Sequence, residues 1–318
     1  MRLGIVSNAR STRNKRGLGP VEALLRDRPD VLHRLFDGSR TMTELLRELA
    51  GAGVTLLAIN GGDGTIQAAL TSLLEDRPFA ALPPVALVPG GMANMTAQDV
   101  GIRQRGAAGI GRLLAAMQTG GIDAAVVERH VLRVDGIDGR PAQRGMFFGA
   151  AGIYDVIDFC VSRIHKLGFK GEAAHAATMA WLLGNGALRG LEAVGIHGHD
   201  VGIAFAGEPL RQTRQLIVLA TTLDRLVLGS RPFWNDADGD LRFTTIAHPA
   251  SGLLRHARQL LFGGAVRRLP PGMADSRGLD RVELTLDTPF TIDGEFFAVR
   301  PGGRLELTAP ERVRFVRL

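Results

Sequence analysis

Residues 60–70 read Asn-Gly-Gly-Asp-Gly-Thr-Ile-Gln-Ala-Ala-Leu and place one acid inside a glycine-rich turn. An apolar run precedes the turn and helical spacing follows it, which predicts a strand, a turn and a helix. Such glycines let the backbone approach a ligand, and the first turn of the helix offers N–H groups to a phosphate. An acid there indicates a bridging metal ion or a role on the reacting group. The alternative is a tight turn in which Thr65 caps the helix.

A second glycine turn follows the next predicted strand. Residues 88–95 read Val-Pro-Gly-Gly-Met-Ala-Asn-Met, directly after an apolar run at 85–88. Parallel strands present their carboxyl ends at one edge of a sheet, where such sheets bind ligands. We therefore expect Gly90, Gly91 and Asn94 to lie beside the first turn.

Two acidic stretches lie in the second half of the chain. Residues 291–296 place Asp293 and Glu295 on either side of a glycine, and residues 235–241 read Asn-Asp-Ala-Asp-Gly-Asp-Leu. Taken alone, both are ordinary turns with solvated acids. The second stretch also offers the closely spaced oxygens that Mg²⁺ or Ca²⁺ binds.

Strand-like and helix-like patterns alternate in the first third of the chain, which predicts an α/β layer with a parallel sheet. The predicted strands there are 3–7, 31–36, 54–59 and 85–88, and the predicted helices include 21–25 and 42–50. Later residues show the period-two alternation of antiparallel strands. A hairpin is predicted in 130–152 and a helix over 157–188, followed by strands at 214–222, 240–247, 281–287, 289–297, 304–310 and 312–318. The sequence thus predicts an α/β domain over 1–127 and a β-rich domain over 128–303, with 304–318 a candidate for packing back onto the first.

Composition limits the classes of partner. The chain has 318 residues and a net charge of +6, almost all of its positive charge coming from arginine. This favours an anionic partner, such as phosphates or a lipid surface, with coding bias as the alternative. Only 5% of residues are aromatic and no basic stretch is interleaved with rings, which argues against nucleic acid. The lone Cys160 excludes an internal disulfide and is expected to be buried rather than nucleophilic.

The motifs in series resemble the diacylglycerol kinase catalytic-domain family, which includes bacterial lipid kinases, sphingosine kinases and ceramide kinases. The first motif alone is shared with NAD kinases and phosphofructokinases, whereas the series spans nearly the whole chain. The resemblance implies a Rossmann-like, NAD kinase-like nucleotide domain, a C-terminal antiparallel sandwich, and ATP in the cleft between them.

The resemblance also implies roles for individual residues. Glu295 matches the proposed general base, with Asp293 beside it, and Asp63 is expected to hold Mg²⁺ at the phosphates. The Asn235 carbonyl, Asp238 and Asp240 match a loop that binds a structural Mg²⁺ in bacterial members. The implied nucleotide contacts are Asn8, Ser11, Gly61, Gly62, Asp63, Gly64, Thr65, Gln67, Gly90, Gly91 and Asn94.

Several positions depart from the family's pattern. The early turn reads Asn8-Ala-Arg-Ser-Thr, without the family's proline and final glycine. Met92 and Met95 replace a threonine and an aspartate of the second turn, and Gln67 stands where asparagine is usual. These changes remove side-chain contacts to the phosphates but keep the backbone donors, so we expect altered nucleotide affinity rather than an inactive enzyme.

The resulting prediction is an ATP-dependent kinase that phosphorylates a hydroxyl of a diacylglycerol-, sphingoid- or ceramide-like lipid. A soluble-substrate kinase related to NAD kinase and a non-catalytic nucleotide-binding regulator are the alternatives. With no signal peptide or spanning apolar run, we expect a cytoplasmic protein at the inner face of the membrane. Two segments are candidate docking elements: 248–262, with Arg255, Arg258 and the following Arg267 and Arg268, and 157–188. For the second segment, a position lining the acyl pocket is the alternative. For the first segment, a helix packed on the β-rich domain is an equal alternative. A homodimer is one candidate assembly.

Overall fold

The computed structural model describes residues 1–159, 192, 195–235, 238–250 and 252–318. The chain divides into two compact units, Met1–Val131 with Glu311–Leu318, and Leu132–Pro310. The first unit thus continues four residues beyond the predicted boundary at 127. Cys160 and most of the helix predicted over 157–188 lie outside the described residues.

Unit 1 contains a parallel sheet. Its strands are β1 (Leu3–Asn8), β2 (Leu32–Phe36), β3 (Leu56–Gly61), β4 (Val85–Pro89) and the last residues of β15 (Gly303–Val316). They lie side by side in the order β15–β4–β3–β1–β2. β3 and β4 are buried at every position, as continuous apolar strands of a parallel sheet should be. The register pairs Ser7 with Asn60 and Gly61 with Pro89, so the two glycine turns begin at the same sheet edge.

Five α-helices accompany this sheet in the described part of unit 1. They are α1 (Gly19–Leu25), α2 (Met42–Gly51), α3 (Asp63–Thr71), α4 (Met95–Val100) and α5 (Gly106–Gln118). A π-helical turn, Ser72–Asp76, directly follows α3. α5 contributes Ile110 and Leu113 to a core that also holds Ile5, Leu56 and Val88 from the strands. The predicted α/β fold of the N-terminal domain is confirmed.

Unit 2 is rich in antiparallel strands, as predicted. These are the last four residues of β5 (Val126–Asp135), which begins in unit 1, then β6 (Gln143–Gly145), β7 (Phe147–Ala151), β8 (His199–Phe205), β9 (Arg211–Thr221), β10 (Leu241–Ala247), β11 (Ala274–Leu279), β12 (Arg281–Leu286), β13 (Phe290–Ile292), β14 (Glu295–Phe297) and the start of β15. One run has the order β14–β13–β7–β9–β8–β12–β15, and β10 pairs with β9 and β11. Two helices, α6 (Gly152–Phe159) and α7 (Leu253–Phe262), are also described.

Three details of unit 2 differ from the sequence prediction. Residues 304–310 and 312–318 were predicted as two strands, but β15 is one strand that runs through Pro310. Pro310 lies between residues 303–308, which pair with β12, and Phe315 and Val316, which pair with β4. β8 and β11 were not predicted, because their glycines and acidic residues lower strand propensity, and their pairing with neighbours outweighs it.

No helix among the described residues is long and apolar enough to cross a membrane.

Candidate functional site

The first glycine turn is shorter than the sequence indicated. α3 begins at Asp63, and its N-cap is Gly62, which has an extended backbone and no side chain to cap the helix. The alternative in which Thr65 caps α3 is therefore excluded, because Thr65 is already the third helical residue. Its Oγ1 instead accepts a hydrogen bond of 2.7 Å from Nδ2 of Asn8. No N-cap side chain therefore accepts a hydrogen bond from the first N–H groups of α3. Helix N-termini of this kind can bind anions.

The two glycine turns lie directly against each other. The N–H of Gly90 donates to the carbonyl of Gly61 over 2.7 Å. A Cβ added to Gly91 would lie 2.6 Å from Cα of Gly62, closer than real Cβ atoms approach backbone. Glycine is therefore required here by the contact between the turns, and the same contact keeps both turns at one edge of the sheet.

Asp63 links α3 to α4. Its Oδ2 accepts the N–H of Met95 and its Oδ1 accepts the N–H of Thr96, each at 3.1 Å. Burial raises the pKa of the Asp63 carboxyl, and these N–H donors act in the opposite direction. Asp63 thus caps α4 from another element. Its predicted contact with Mg²⁺ stays a prediction.

Asn94 closes the second turn. It is the N-cap residue of α4, with a left-handed backbone at φ 50°. Its Oδ1 accepts the N–H of Gly91 at 2.7 Å, and its Nδ2 donates to the Gly91 carbonyl at 2.9 Å. Both polar atoms of the side chain are therefore used within the turn, so its predicted nucleotide contact remains a prediction.

The early turn wraps over the ends of the neighbouring strands. Ser11 Oγ donates to the carbonyl of Asn8 at 2.8 Å, and the N–H of Arg13 donates to the carbonyl of Gly90 at 3.1 Å. Asn14, which the sequence reasoning missed, is buried and donates from Nδ2 to the carbonyls of Asn8 and Asn60. This side chain joins the early turn to the ends of β1 and β3. No sequence signal distinguishes it from any polar loop residue.

Gln67 lies inside unit 1 rather than at its surface. Its side chain is buried, and Nε2 donates to Oγ1 of Thr71, one turn later in α3, at 3.2 Å. The structure thus brings the predicted residues of both turns and of the early turn together, with Gln67 on the buried side of the helix that follows.

In unit 2, Asp293 holds a tight turn between β13 and β14. Asp293 and Gly294 both have positive φ, 50° and 87°, as a two-residue Asp-Gly hairpin requires. The buried Asp293 carboxylate accepts the N–H of Phe147 at 2.9 Å and of Met146 at 3.0 Å. A Cβ added to Gly145 would lie 2.7 Å from Asp293 Oδ2, so a glycine is needed beside it.

Glu295 differs from Asp293 in its surroundings. It is the first residue of β14 and is exposed. Of the two acids in this motif, Glu295 is the one whose carboxylate can be reached from outside unit 2. Asp293 determines where the turn lies and hence where Glu295 projects.

The acidic loop before β10 does not form a recognisable metal site in the part of the chain that the structure describes. Asn235 has φ 53°, and its carbonyl accepts the N–H of Gly278 at 2.9 Å. Asp238 and Asp240 are exposed, and residues 236 and 237 lie outside the described residues. No group of three or more His, Cys, Asp or Glu side chains that could hold a metal ion occurs among the described residues. The predicted magnesium site here stays a prediction.

Comparison with known proteins agrees with the motif series. Residues 2–127 match the model of the diacylglycerol kinase catalytic domain. The predicted resemblance to this family is confirmed. The match covers the segment that holds both glycine turns, and it supports a phosphotransferase. No curated protein matches the sequence.

Three solved structures from Bacillus anthracis str. Sterne share the fold. One diacylglycerol kinase is 15% identical with a TM-score of 0.60, covering 99% of this chain and 96% of that one. Two described as candidate diacylglycerol kinases have TM-scores of 0.64 and 0.63 at 15% and 16% identity. They cover 99% and 100% of this chain and 96% and 97% of their own. At these identities the likeness shows the fold alone.

The contact between the turns can be tested with Gly91→Ala. The added Cβ would meet the Gly62 backbone, so we expect the free energy of unfolding to fall by about 1–3 kcal/mol. Gly111→Ala in α5 is the matched control, because a Cβ there has no neighbour within 4 Å. That variant should gain roughly 0.5–1 kcal/mol. Denaturant unfolding measures both, and equal stability of Gly91→Ala and wild type would refute the contact.

The role of Asp293 can be tested with Asp293→Asn. An amide offers one acceptor oxygen, so the buried N–H of Met146 or Phe147 loses its partner at a cost of about 1–3 kcal/mol. Asp287→Asn is the control, since the exposed Asp287 accepts one N–H, from Gly302, and water can replace it. Thermal or denaturant unfolding should show the larger loss for Asp293→Asn. A larger loss at Asp287 would contradict the assignment.

Proposed function

We propose that the chain is an ATP-dependent lipid kinase that transfers phosphate to a hydroxyl of a diacylglycerol-, sphingoid- or ceramide-like lipid. The observation that carries the proposal is the pair of touching glycine turns beside the side-chain-free N-cap of α3, within residues that match the diacylglycerol kinase catalytic domain. The late Asp-Gly-Glu turn in unit 2 favours a lipid acceptor over NAD, because the series resembles the lipid kinases.

The nucleotide phosphates fit the start of α3. The N–H groups of Asp63 and Gly64 belong to its first turn, where the helix dipole favours an anion. Arg10, Arg13 and Lys15 are exposed on the early turn, whose Arg13 N–H is bonded to Gly90. These positive charges favour a polyphosphate over a neutral ligand.

When bound, ATP supplies the phosphoryl group, and Mg²⁺ neutralises charge on the phosphates. Mg²⁺ commonly takes one or two carboxylates and keeps phosphate and water ligands. At the glycine turns the only acid is Asp63, and both its oxygens already accept N–H bonds. We therefore assign no complete protein ligand set to Mg²⁺ and give Asp63 the role of fixing the turns that face the phosphates.

Glu295 is the proposed general base. Its exposed carboxylate would accept the proton of the lipid hydroxyl as that oxygen bonds to the γ-phosphorus, while the bond from this phosphorus to the β-phosphate oxygen breaks and ADP leaves. Asp293 contributes by holding the Asp-Gly turn through its bonds to Met146 and Phe147, which makes it a positioning residue. The acceptor is a bilayer lipid, so we propose that the reaction takes place at the inner face of the membrane.

The two methionines of the second turn set the expected nucleotide affinity. The side chains of Met92 and Met95 offer no hydrogen-bond donor to a phosphate and no oxygen ligand to its metal ion, and the N–H of Met95 already donates to Asp63. Phosphate binding then depends on the backbone N–H groups at the start of α3 and on the positive charges of the early turn. This favours a kinase with weak nucleotide binding over one with no activity.

The function can be tested with Glu295→Gln and labelled ATP, using diacylglycerol, sphingosine, ceramide and NAD as acceptors. Loss of the base should lower lipid phosphorylation by roughly 10²–10⁴-fold. ATP binding should be unchanged, because the ATP contacts proposed here lie in unit 1. Glu208→Gln is the control, since Glu208 is an exposed acid of the same unit and should leave turnover unaltered.

Each acceptor gives a distinct outcome. Transfer to a lipid that depends on Glu295 supports the proposal. Transfer to NAD alone would favour the soluble-substrate kinase, and ATP binding without transfer to any acceptor would favour a regulator. Wild-type turnover in folded Glu295→Gln would remove Glu295 from the mechanism.

A further inference from the structure

Helix α7 presents a basic face with an aromatic residue at its end. Leu253 and Leu260 pack against a cluster that includes Trp234 and Ile246, so this side of α7 faces the interior of unit 2. Arg255, Arg258 and Phe262 follow at spacings of three and four residues and therefore share the opposite face. All three are exposed, and Phe262 is 55% exposed.

The loop after α7 extends this face. Val266 is 86% exposed and Arg268 is exposed. Single exposed apolar residues are ordinary on protein surfaces. Here two large ones lie within five residues, next to three arginines. The docking face is defined as Arg255, Arg258, Phe262, Val266 and Arg268.

Arg267 fixes the loop from inside. Its guanidinium donates to the carbonyls of Leu260 and Arg231, each at 2.6 Å, and also to those of Gln259 and Phe233. It also lies over the Trp234 ring, 4.8 Å from the centroid. The expectation that Arg267 faces a membrane with its neighbours is therefore corrected, because its donors are directed at the end of α7. Arg267 instead holds the loop that carries Val266 and Arg268.

The sequence around the docking face carries no negative charge. Between Asp240 and Asp275 there is no aspartate or glutamate, and this interval contains the whole docking face. Several arginines elsewhere in unit 2 face acids; Arg281, for example, lies 2.6 Å from Glu283 and 2.7 Å from Glu306. The acid-free interval favours an anionic partner specifically at α7.

We propose that the docking face binds an anionic lipid bilayer, with Phe262 and Val266 entering the interfacial region and the three arginines contacting lipid phosphates. A basic amphipathic helix with exposed apolar residues fits such a surface. A second copy of the chain would bring like charges together, and nucleic acid is disfavoured because Phe262 is the only aromatic residue on the face. The proposal deepens the proposed function by naming where the kinase meets its membrane.

The test is co-sedimentation with vesicles of phosphatidylcholine, with and without phosphatidylglycerol, in the absence of ATP. The wild type should bind the anionic vesicles, and this binding should weaken as salt rises. Because each arginine near such a surface contributes about 1 kcal/mol, the variant R255Q/R258Q/R268Q should bind roughly a hundredfold more weakly. The charge-matched control is R26Q/R47Q/R112Q, at exposed helix or helix-end positions of unit 1, which should bind like the wild type.

Insertion is tested separately with Phe262→Trp and brominated lipid. The chain's other tryptophans are Trp181 and Trp234, so the wild type supplies the background signal. Added quenching in Phe262→Trp on anionic vesicles is expected, and F262S/V266S should bind the vesicles more weakly. Phe262→Trp fluorescence unchanged by brominated vesicles would overturn the insertion.

Several results would overturn the docking face. The first is that the wild type does not bind anionic vesicles, and the second is that R255Q/R258Q/R268Q binds them as tightly as the wild type. The third is that the wild type is a dimer which F262S/V266S converts to a monomer, while vesicle binding stays unchanged. The outcome is separable from the proposed function, because vesicle binding needs no ATP. Phosphorylation of a short-chain, water-dispersed diacylglycerol should survive in R255Q/R258Q/R268Q even when vesicle binding is lost.

Discussion

The half-buried, desolvated carboxylate of Asp63 makes the interaction on which the two glycine turns of unit 1 depend. A buried charge is costly unless donors surround it, and here the donors are the first N–H groups of α4. Asp63 is also the first residue of α3, so one side chain joins the starts of two helices. Gly62 and Gly91 allow the turns to approach closely enough for this bond. Gly62, Gly91 and Asp63 therefore act together. Because Gly62 is the N-cap residue, no N-cap side chain covers the first N–H groups of α3.

Unit 2 uses the same device at Asp293. Each acid is followed by a glycine and accepts two successive backbone N–H groups from a distant segment; Asp293 is buried and Asp63 is half-buried. In each case the chemically accessible group is a neighbour: the first turn of α3 beside Asp63, and exposed Glu295 beside Asp293. In both motifs, the aspartate accepts main-chain N–H bonds and so positions a neighbouring group that can contact a ligand.

This explains what the sequence could and could not predict. Local periodicity located β1 to β4, the helices between them and both glycine turns, because those patterns depend on neighbouring residues. The bonds of Asp63 and Asp293 reach partners 32 and 146 residues away, so no local pattern reveals them. A Thr65 cap is a reasonable alternative from the sequence because hydroxyl residues commonly cap helices. The sequence could not show that Gly62 already occupies that position.

The sequence also does not reveal which arginines are available to a partner. Arg267 and Arg268 are adjacent and chemically identical, yet Arg267 is directed at main-chain carbonyls at the end of α7, whereas Arg268 is exposed. The net charge of +6 therefore does not show where positive charge is available to a partner, since some arginines bond to main-chain carbonyls and others face acids such as Glu283. What distinguishes α7 is the absence of acids along its sequence together with the bonds from Arg267 to main-chain carbonyls, which keep the basic loop in place. Charge becomes a binding surface only where the fold leaves it both exposed and uncompensated.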